Sequence, residues 1–229
     1  MRNDKHIAIK LRKEGKSYNK ISKELDIAKS TLSGWFSNLD WSDVIKQELA
    51  RKANFIARKR LRLVNKQRRE MWEKWRQGYR DEASRQFPLL ENNPLFLAGL
   101  MLYWGEGDSK MENCIVRLTN TDSEMIRIFT LFLYKICNVP KEKVKFQLTL
   151  YPDLKEEACK HFWSVKSNIP LSQFIKTQYI KGRHPTKRLN YGICVAYVSS
   201  RGLKEKIFTW LKLYQNTLLF GDKQKKLRV

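Results

Sequence analysis

The spacing of apolar residues changes along the chain, and each spacing predicts a different kind of element. Over residues 5–38, apolar side chains recur every three or four positions in three short runs, which predicts three short helices. Helical spacing continues through residues 43–86, which contain no proline, so a long helix is expected there. From residue 89 onward, helical runs alternate with stretches of one-by-one apolar and polar alternation, which is typical of half-buried strands.

The three short helices are predicted at residues 6–14, 18–25 and 29–36, and residues 15–36 read GKSYNKISKELDIAKSTLSGWF. This pattern resembles the helix-turn-helix of resolvase-like and transcription-factor domains. The resemblance implies that the third helix enters the major groove of DNA. The outward positions of that helix, which we expect to contact DNA, are Lys29, Ser30, Thr31 and Ser33. A trihelical unit without a DNA-binding role is the alternative.

The long helical run is strongly basic, and Gly78 is the position at which we expect it to bend. The clustered cations favour a helix that lies along or across a phosphate backbone, with contacts from Arg58, Lys59 and Arg62. The alternative is a solvated helix that packs on the rest of the protein and merely exposes its charges. Trp72 and Trp75 suit stacking on bases, although packing in the core is the favoured use of those rings.

The balance of charge favours a polyanionic partner. The 229 residues carry 46 Lys and Arg against 23 Asp and Glu, a formal net charge of +23. Such a field attracts phosphates and releases counterions, so nucleic acid is the expected partner. No stretch approaches the ~20 apolar residues of a membrane span, and a membrane partner is not expected.

Two further features of the composition bear on location and on metal chemistry. The first residues, MRNDKHIAIK, contain no apolar signal core, so we expect a cytoplasmic protein, associated with the nucleoid if the source is prokaryotic. The four cysteines are widely spaced without a CxxC pair, and the three histidines are equally scattered. Buried thiols are therefore expected rather than disulfides or a zinc site.

Strands are predicted at residues 114–120 and 143–151, more weakly at 173–180, and at 191–199. The last is apolar on both faces, which predicts a central strand. The helices between them are expected to begin at a Thr121–Glu124 capping box, at Asp153 and at Ser200. A basic loop is expected at 181–190.

The most apolar helical run ends on a carboxylate between two glycines. Residues 95–110 read LFLAGLMLYWGEGDSK, preceded by Asn93 as a predicted N-cap and by Pro94 at the first helical position. A glycine C-cap would explain Gly105. It would not explain Glu106, because the partial negative charge at a helix C-terminus repels a carboxylate unless a cation offsets it.

Residues 96–107 (FLAGLMLYWGEG), followed by residues 116–129 (VRLTNTDSEMIRIF), resemble the LAGLIDADG homing endonucleases. In that family the signature helix ends in Gly-Asp/Glu-Gly, and a later strand often runs into an Asn-Thr-Asp helix start. The resemblance covers residues 95–132 and implies an α+β fold with helices on one face of a saddle-like antiparallel sheet. It also implies that Glu106 is the catalytic residue and the metal ligand, with Mg²⁺ or another divalent cation as cofactor.

Only one signature helix is visible, so the resemblance implies a homodimer in which two of these helices pack side by side. The two Glu106 carboxylates would then meet near the two-fold axis and hold the metal between them. Small and apolar residues would form the interface, namely Ala98, Gly99, Leu102 and Gly105.

In such a fold the solvent face of the sheet lies in the major groove of double-stranded DNA. An ordinary polar sheet face is the alternative for any single residue, but the set as a whole is cationic with interspersed amides. The candidates for DNA contact are Arg117, Thr119, Lys145, Gln147, Thr149, Lys176, Gln178, Arg183, Lys187 and Arg188.

The sequence thus predicts a helix-turn-helix domain at 1–42, a basic helical linker at 43–90, a LAGLIDADG-like domain at 91–220 and a basic tail at 221–229. The expected function is sequence-specific binding of double-stranded DNA with Mg²⁺-dependent phosphodiester hydrolysis. A non-catalytic transcriptional regulator with the same fold is the alternative, favoured by Trp104, which stands where the family has an acidic or polar residue. An RNA-binding protein is a third class compatible with the charge.

Overall fold

The computed structural model describes residues 4–180 and 189–225 of the chain. The chain divides into two compact units, Met1–Trp72 and Glu73–Val229. The division falls inside the long helix, which runs without interruption over Asp40–Leu90. The boundaries expected after residues 42 and 90 lie close to the two ends of that helix, so they mark where it begins and ends and do not separate the units.

The first unit contains three short helices: α1 at Lys5–Lys13, α2 at Tyr18–Leu25 and α3 at Lys29–Phe36. The Ser17 side chain accepts a hydrogen bond from the backbone N–H of Lys20, which caps α2. Asp26 follows α2 with a φ of 49° and turns the chain toward α3. A compact core joins the three helices, and its buried members are Ala8, Leu11, Ile21, Ile27, Leu32 and Phe36.

A buried arginine fixes α1 to the start of the long helix, α4 (Asp40–Leu90). Arg12 is 2 % exposed. Its guanidinium donates to Ser42 Oγ at 3.1 Å, to Ser42 O at 2.8 Å and to Lys16 O at 3.0 Å. It also lies 4.6 Å from the centre of the Tyr18 ring. Charge, hydrogen bonds and stacking are therefore satisfied together at this buried position.

In the second unit, α5 at Pro94–Glu106 precedes strand β1 at Ile115–Asn120 and helix α6 at Ser123–Leu131. A π-helical turn, Phe132–Ile136, extends α6. Strand β2 at Lys145–Leu150 and helix α7 at Glu156–Ser167 come next. The short strand β3 at Gln178–Tyr179, strand β4 at Ile193–Ser199 and helix α8 at Arg201–Lys225 complete the described order.

The four described strands form one sheet in the order β1-β4-β2-β3. Strand β4 is central, as its apolar pattern predicted, and it pairs antiparallel with both β1 and β2. Strand β3 pairs with β2 in parallel, so the expectation of an antiparallel sheet is wrong for this edge. The parallel pairing follows from the crossover through α7, which returns the chain to the same end of β2. The α+β class is confirmed.

One face of the sheet packs against the helices and forms the core of the second unit. Its buried members alternate along each strand, with Val116 and Leu118 on β1, Leu148 on β2, and Cys194 and Ala196 on β4. They pack with apolar side chains of α5, α6, α7 and α8 in a single cluster. This alternation is the one that the sequence predicted, because side chains of a strand point to opposite faces in turn.

Three predicted boundaries differ from the structure. Helix α6 is capped by Asp122, which accepts from the N–H groups of Glu124 and Met125, so Thr121 is not the cap. Helix α7 begins at Glu156 after Lys155, so Asp153 is not its cap either. Helix α8 continues to Lys225, so the first part of the predicted tail is helical. Within the described part of the chain, no helix has both the length and the apolar character that crossing a bilayer requires.

Candidate functional site

Helix α5 carries Glu106 to the surface of the second unit. The Asn93 side chain caps the helix by accepting from the N–H groups of Leu95 and Phe96, as predicted. The helix ends at Glu106, and Gly107 follows in an extended conformation, so Gly105 is a helical residue and not the C-cap. Glu106 is exposed, and among the described residues no side chain pairs with its carboxylate. A carboxylate thus stands at the negative end of a helix, where no described side chain offsets it.

The loop that follows Glu106 is held by Asp108. The Asp108 carboxylate accepts from the backbone N–H of Lys110 at 3.0 Å, from Asn113 at 2.9 Å and from Arg117 at 3.0 Å. Its backbone N–H donates to Arg117 O at 3.1 Å, beside a bridge between Gly107 and Leu118. These contacts tie the end of α5 to β1.

The ionisation of this cluster follows from its contacts. Burial opposes ionisation of Asp108, yet its hydrogen bonds from Lys110 and Asn113 and the charges of Lys204 and Arg117 hold its pKa below the ordinary value. Burial lowers the pKa of Lys204, and the Asp108 carboxylate opposes that shift. The Tyr103 hydroxyl donates to Asp108 O at 2.8 Å. Asp108 is therefore a bound anion, fully engaged within the chain.

A metal ion at Glu106 needs ligands that the described chain does not supply. No group of three or more His, Cys, Asp or Glu side chains among the described residues is arranged to hold a metal ion. Asp108 is two residues away, but its oxygens already accept hydrogen bonds from three groups. A hard divalent cation takes six or more oxygen ligands. Glu106 fits such an ion only with oxygens from a second copy, a phosphate or water.

The exposed side of α5 is apolar, and it combines small residues with one bulky ring. Ala98, Trp104 and Gly105 are exposed, and Leu102 is half-buried. A Cβ on Gly105 would meet no atom within 4 Å. Gly99 is different, because it is buried and a Cβ there would overlap the ring of Phe132. The prediction that Gly99 belongs to an interface is therefore corrected, since this glycine packs inside its own unit.

The face of the sheet opposite the helices collects the polar residues that the alternation predicted. We call it the outer face. Arg117 and Thr119 are exposed on β1, and Gln178 is exposed on β3. Lys176 is also exposed, and its carbonyl accepts from Gln147 Nε2 at 3.0 Å. The half-buried members on β2 are Lys145, Gln147 and Thr149. Arg183, Lys187 and Arg188, predicted to extend this surface, lie outside the described residues.

In the first unit, helix α3 presents the predicted contact residues. Lys29, Ser30 and Ser33 are exposed, and Thr31 is half-buried. Gly34 is exposed beside them, and a Cβ there would meet no atom within 4 Å. No packing contact with a described residue accounts for a glycine at this helical position, where it costs roughly 1 kcal/mol relative to alanine.

A stretch of α4, residues 51–69, is the most cationic part of the first unit. We call it the cationic segment. It holds nine Lys and Arg residues and no Asp or Glu, and all of its residues are exposed, including Arg58, Lys59 and Arg62. Two apolar residues at helical spacing in this segment are exposed as well, Ile56 at 51 % and Leu63 at 56 %. The alternative, a helix that packs on the rest of the protein, is therefore not supported at these two residues.

The aromatic residues that follow this segment are also at the surface. Trp72 is 51 % exposed and Trp75 is 39 % exposed. The Trp75 ring lies edge-on to the Tyr79 ring, with centroids 4.8 Å apart. The favoured prediction, that these rings are buried in the core, is wrong.

Several residues that shape these units were not predicted from the sequence. Lys204 and Arg12 are buried cations whose partners are distant in sequence, so no local pattern identifies them. Strand β4 also contributes a row of half-buried apolar residues to the outer face, namely Ile193, Val195 and Tyr197. Their apolar character was visible in the sequence, but it indicated burial and not their place on this face.

Comparison of the chain with protein-family models, with curated proteins and with solved structures finds no match.

Proposed function

We propose that this protein binds double-stranded DNA in a sequence-specific manner. The observation that carries the proposal is the cationic segment, in which nine exposed Lys and Arg residues follow one another without an intervening carboxylate. Concentrated positive charge on one helix suits the phosphate backbone, because each contact releases counterions from the nucleic acid. Such contacts supply affinity and position, but they carry no sequence information.

Two other surfaces support sequence-specific contact. Helix α3 combines a lysine, exposed hydroxyls and a glycine that leaves its face open to a close partner. The outer face combines Arg117 and Lys145 with the amide of Gln147 and the hydroxyls of Thr119 and Thr149. Arginine, amide and hydroxyl groups are those that pair with base edges in the major groove.

We further propose that the protein cleaves DNA as a LAGLIDADG-like homodimer. Glu106 is the residue proposed to hold Mg²⁺, together with Glu106 of a second copy and a phosphate oxygen. When bound, the metal would activate water and stabilise the leaving oxygen of the phosphodiester. The chain's part is to hold Glu106 at the end of α5 through the Asp108 contacts with β1. The small exposed residues of α5, Ala98 and Gly105, support close approach of a second α5.

A non-catalytic DNA-binding regulator is the second candidate. Asp108 favours this candidate, because its carboxylate already accepts three hydrogen bonds and so cannot serve as a second metal ligand beside Glu106. Trp104, which is 51 % exposed, also presents a bulky side chain on the proposed dimer surface. A regulator needs DNA binding, but it needs no Mg²⁺ and no second α5 packed against the first.

Selection from a pool of random duplexes tests the binding proposal. The full chain is immobilised, the pool is passed over it at physiological salt, and the retained sequences are compared. The proposal expects enrichment of a common sequence with two related halves, because a homodimer presents the same surface twice. Retention without any enriched sequence contradicts specific recognition. If duplex RNA of the same length is retained more strongly than the DNA pool, the proposal that DNA is the partner is contradicted.

A further inference from the structure

The outer row of strand β4 is apolar although it lies on an otherwise polar surface. Ile193, Val195 and Tyr197 are half-buried, and none of them belongs to the core or packs against it. Strands that are apolar on both faces normally occur where both faces are covered. Here the helices cover one face, so the three side chains form an apolar strip down the middle of the outer face.

The strand register places polar and cationic residues on both sides of this strip. Tyr197 stands between Arg117 on β1 and Lys145 on β2. Val195 stands between Thr119 and Gln147, two residues further along. Directly opposed side chains in antiparallel pairs have Cβ atoms about 5 Å apart, so each apolar residue is in reach of its polar neighbours.

A third set of neighbours across the strands has the same composition as the two sets around Tyr197 and Val195. Ile193 stands beside Thr149, which is itself paired with Gln178 on β3. None of these three sets contains a carboxylate; Arg117 is paired with Asp108 of the preceding loop, and Lys145 leaves the first set with positive charge. This charge favours an anionic partner that also offers small apolar groups in register with polar ones.

Duplex DNA offers that combination in its major groove. The phosphates supply the negative charge, and the C5-methyl group of thymine is the apolar group among the base edges of the groove. Gln147 Nε2 donates to Lys176 O at 3.0 Å, which leaves the amide oxygen as an acceptor. An acceptor at this place suits the amino group of adenine or cytosine. Duplex RNA fits less well, since uracil lacks the methyl group and the deep A-form major groove excludes side chains.

We propose that Val195 and Ile193 read thymine methyl groups in the major groove, and that they specify A·T pairs at the centre of the surface bound by the sheet. The inference rests on the proposed DNA binding and adds the chemical group that the sheet recognises. Residues two apart on a strand are separated by about 6.7 Å, and base pairs by about 3.4 Å. The two thymines are therefore about two base-pair steps apart.

A deoxyuridine scan on the selected duplex tests this proposal. Each thymine is replaced in turn by deoxyuridine, which removes the C5-methyl group and keeps the base pair. Loss of one buried methyl group is expected to raise the Kd about threefold to fourfold at the contacted positions. Thymines outside the sheet contact are expected to show no change. The scan uses the unaltered protein, so its outcome does not depend on the folding of a variant.

Two matched variants assign the contact to a residue. Val195→Ala is expected to abolish the methyl sensitivity at one of the two thymines. Val165→Ala makes the same chemical change at a residue of α7 that is 63 % exposed, and it is expected to leave that sensitivity intact.

Three further results would count against the proposal, and they separate it from the function on which it rests. A selected duplex that binds tightly but shows no methyl-sensitive thymine overturns the inference and leaves DNA binding intact. Methyl sensitivity that survives unchanged in Val195→Ala also overturns the assignment. Failure to enrich any duplex contradicts the proposed function and the inference together.

Discussion

The Nζ atom of Lys204 lies 2.6 Å from Oδ1 of Asn113, although Lys204 is fully buried. The same ammonium group donates to the backbone carbonyls of Lys110 and Ile115. Two acceptors of the loop and one at the start of β1 thus converge on a single cation from α8. This arrangement fixes the loop between α5 and β1, and with it the position of the chain directly after Glu106.

Replacing Lys204 by methionine is expected to lower the free energy of unfolding of the second unit by about 3 kcal/mol. The change keeps most of the side-chain volume but removes a fully buried donor from three acceptors in Lys110, Asn113 and Ile115. Chemical denaturation followed by circular dichroism measures the effect. Lys212→Met, an exposed position on the same helix, is the control and should change stability by less than about 0.5 kcal/mol. Equal unfolding midpoints for the two variants would contradict this role of Lys204.

Glu156 is expected to make stability depend on pH at the β3 edge of the sheet, where Thr177 and Tyr179 donate to its carboxylate. Hydrogen bonds from Lys160, Thr177 and Tyr179 lower the pKa of its carboxyl from 4.5 to about 2. A folded pKa below the unfolded value means that the carboxylate stabilises the fold above pH 4.5, and that this stabilisation is lost as the pH falls toward 2.

The difference in unfolding free energy between the unaltered protein and Glu156→Gln should therefore be largest above about pH 5 and should shrink as the pH falls toward 2. Denaturation at a series of pH values measures this difference, in which the titration of other carboxyl groups cancels. Glu157→Gln changes the exposed neighbour on α7 and serves as the control. A difference that stays constant or grows in acid would show that Glu156 does not hold β3 in this way.

Two glycines of α5 are expected to respond oppositely to the same substitution. Gly105→Ala should stabilise the monomer by up to about 1 kcal/mol, because alanine is the better helix former and its Cβ meets nothing. Gly99→Ala should destabilise it by about 1–3 kcal/mol, because the Cβ overlaps the ring of Phe132.

The proposed dimer adds a second expectation for Gly105→Ala, which should weaken self-association about tenfold or more by separating the two helices. Sedimentation equilibrium of the unaltered protein and the variant measures this change. If the unaltered protein stays monomeric at all concentrations, both free and on DNA, the proposed pairing of two Glu106 carboxylates is contradicted.

The cationic segment is expected to set the salt dependence of DNA binding. Changing Arg58, Lys59 and Arg62 to glutamine should weaken binding to all duplexes and reduce the slope of log K against log salt by about 0.9 for each lost phosphate contact. Titration of a labelled duplex at several salt concentrations measures the slope.

The control for this experiment removes the same number of charges from exposed lysines of the second unit: Lys135, Lys166 and Lys212. Overall charge alone would change the slope equally in both triple variants. A larger change in the cationic-segment variant is the predicted result, and equal changes would refute its direct contact with phosphates.

The sequence predicted those features whose cause is local. Asn93 caps α5 because its side chain reaches N–H groups two and three residues ahead. Arg117 and Lys145 share a face because strand alternation and the core positions beside them leave no other register. Each of these features depends on residues only a few positions apart in the sequence, so it can be predicted without knowledge of the fold.

Features that depend on distant parts of the chain could not be predicted in the same way. Arg12 and Lys204 look like ordinary surface cations, yet their partners lie 30 and about 90 residues away. Gly99 and Gly105 look equivalent in α5, and only the position of Phe132 distinguishes them. The apolar residues on the outer side of β4 predicted burial, because periodicity alone does not distinguish a sheet face covered by helices from a sheet face without them.

The cleavage of DNA by the unaltered protein beside Glu106→Gln tests the central claim most directly. Both are incubated with the random duplex pool and Mg²⁺, with parallel samples in chelator, and new DNA ends are sequenced. The account predicts Mg²⁺-dependent cuts at a common sequence by the unaltered protein and by Glu112→Gln, an exposed carboxylate nearby. It predicts equal binding but no cuts by Glu106→Gln. Tight binding without cuts by the unaltered protein, or undiminished cleavage by Glu106→Gln, would contradict it.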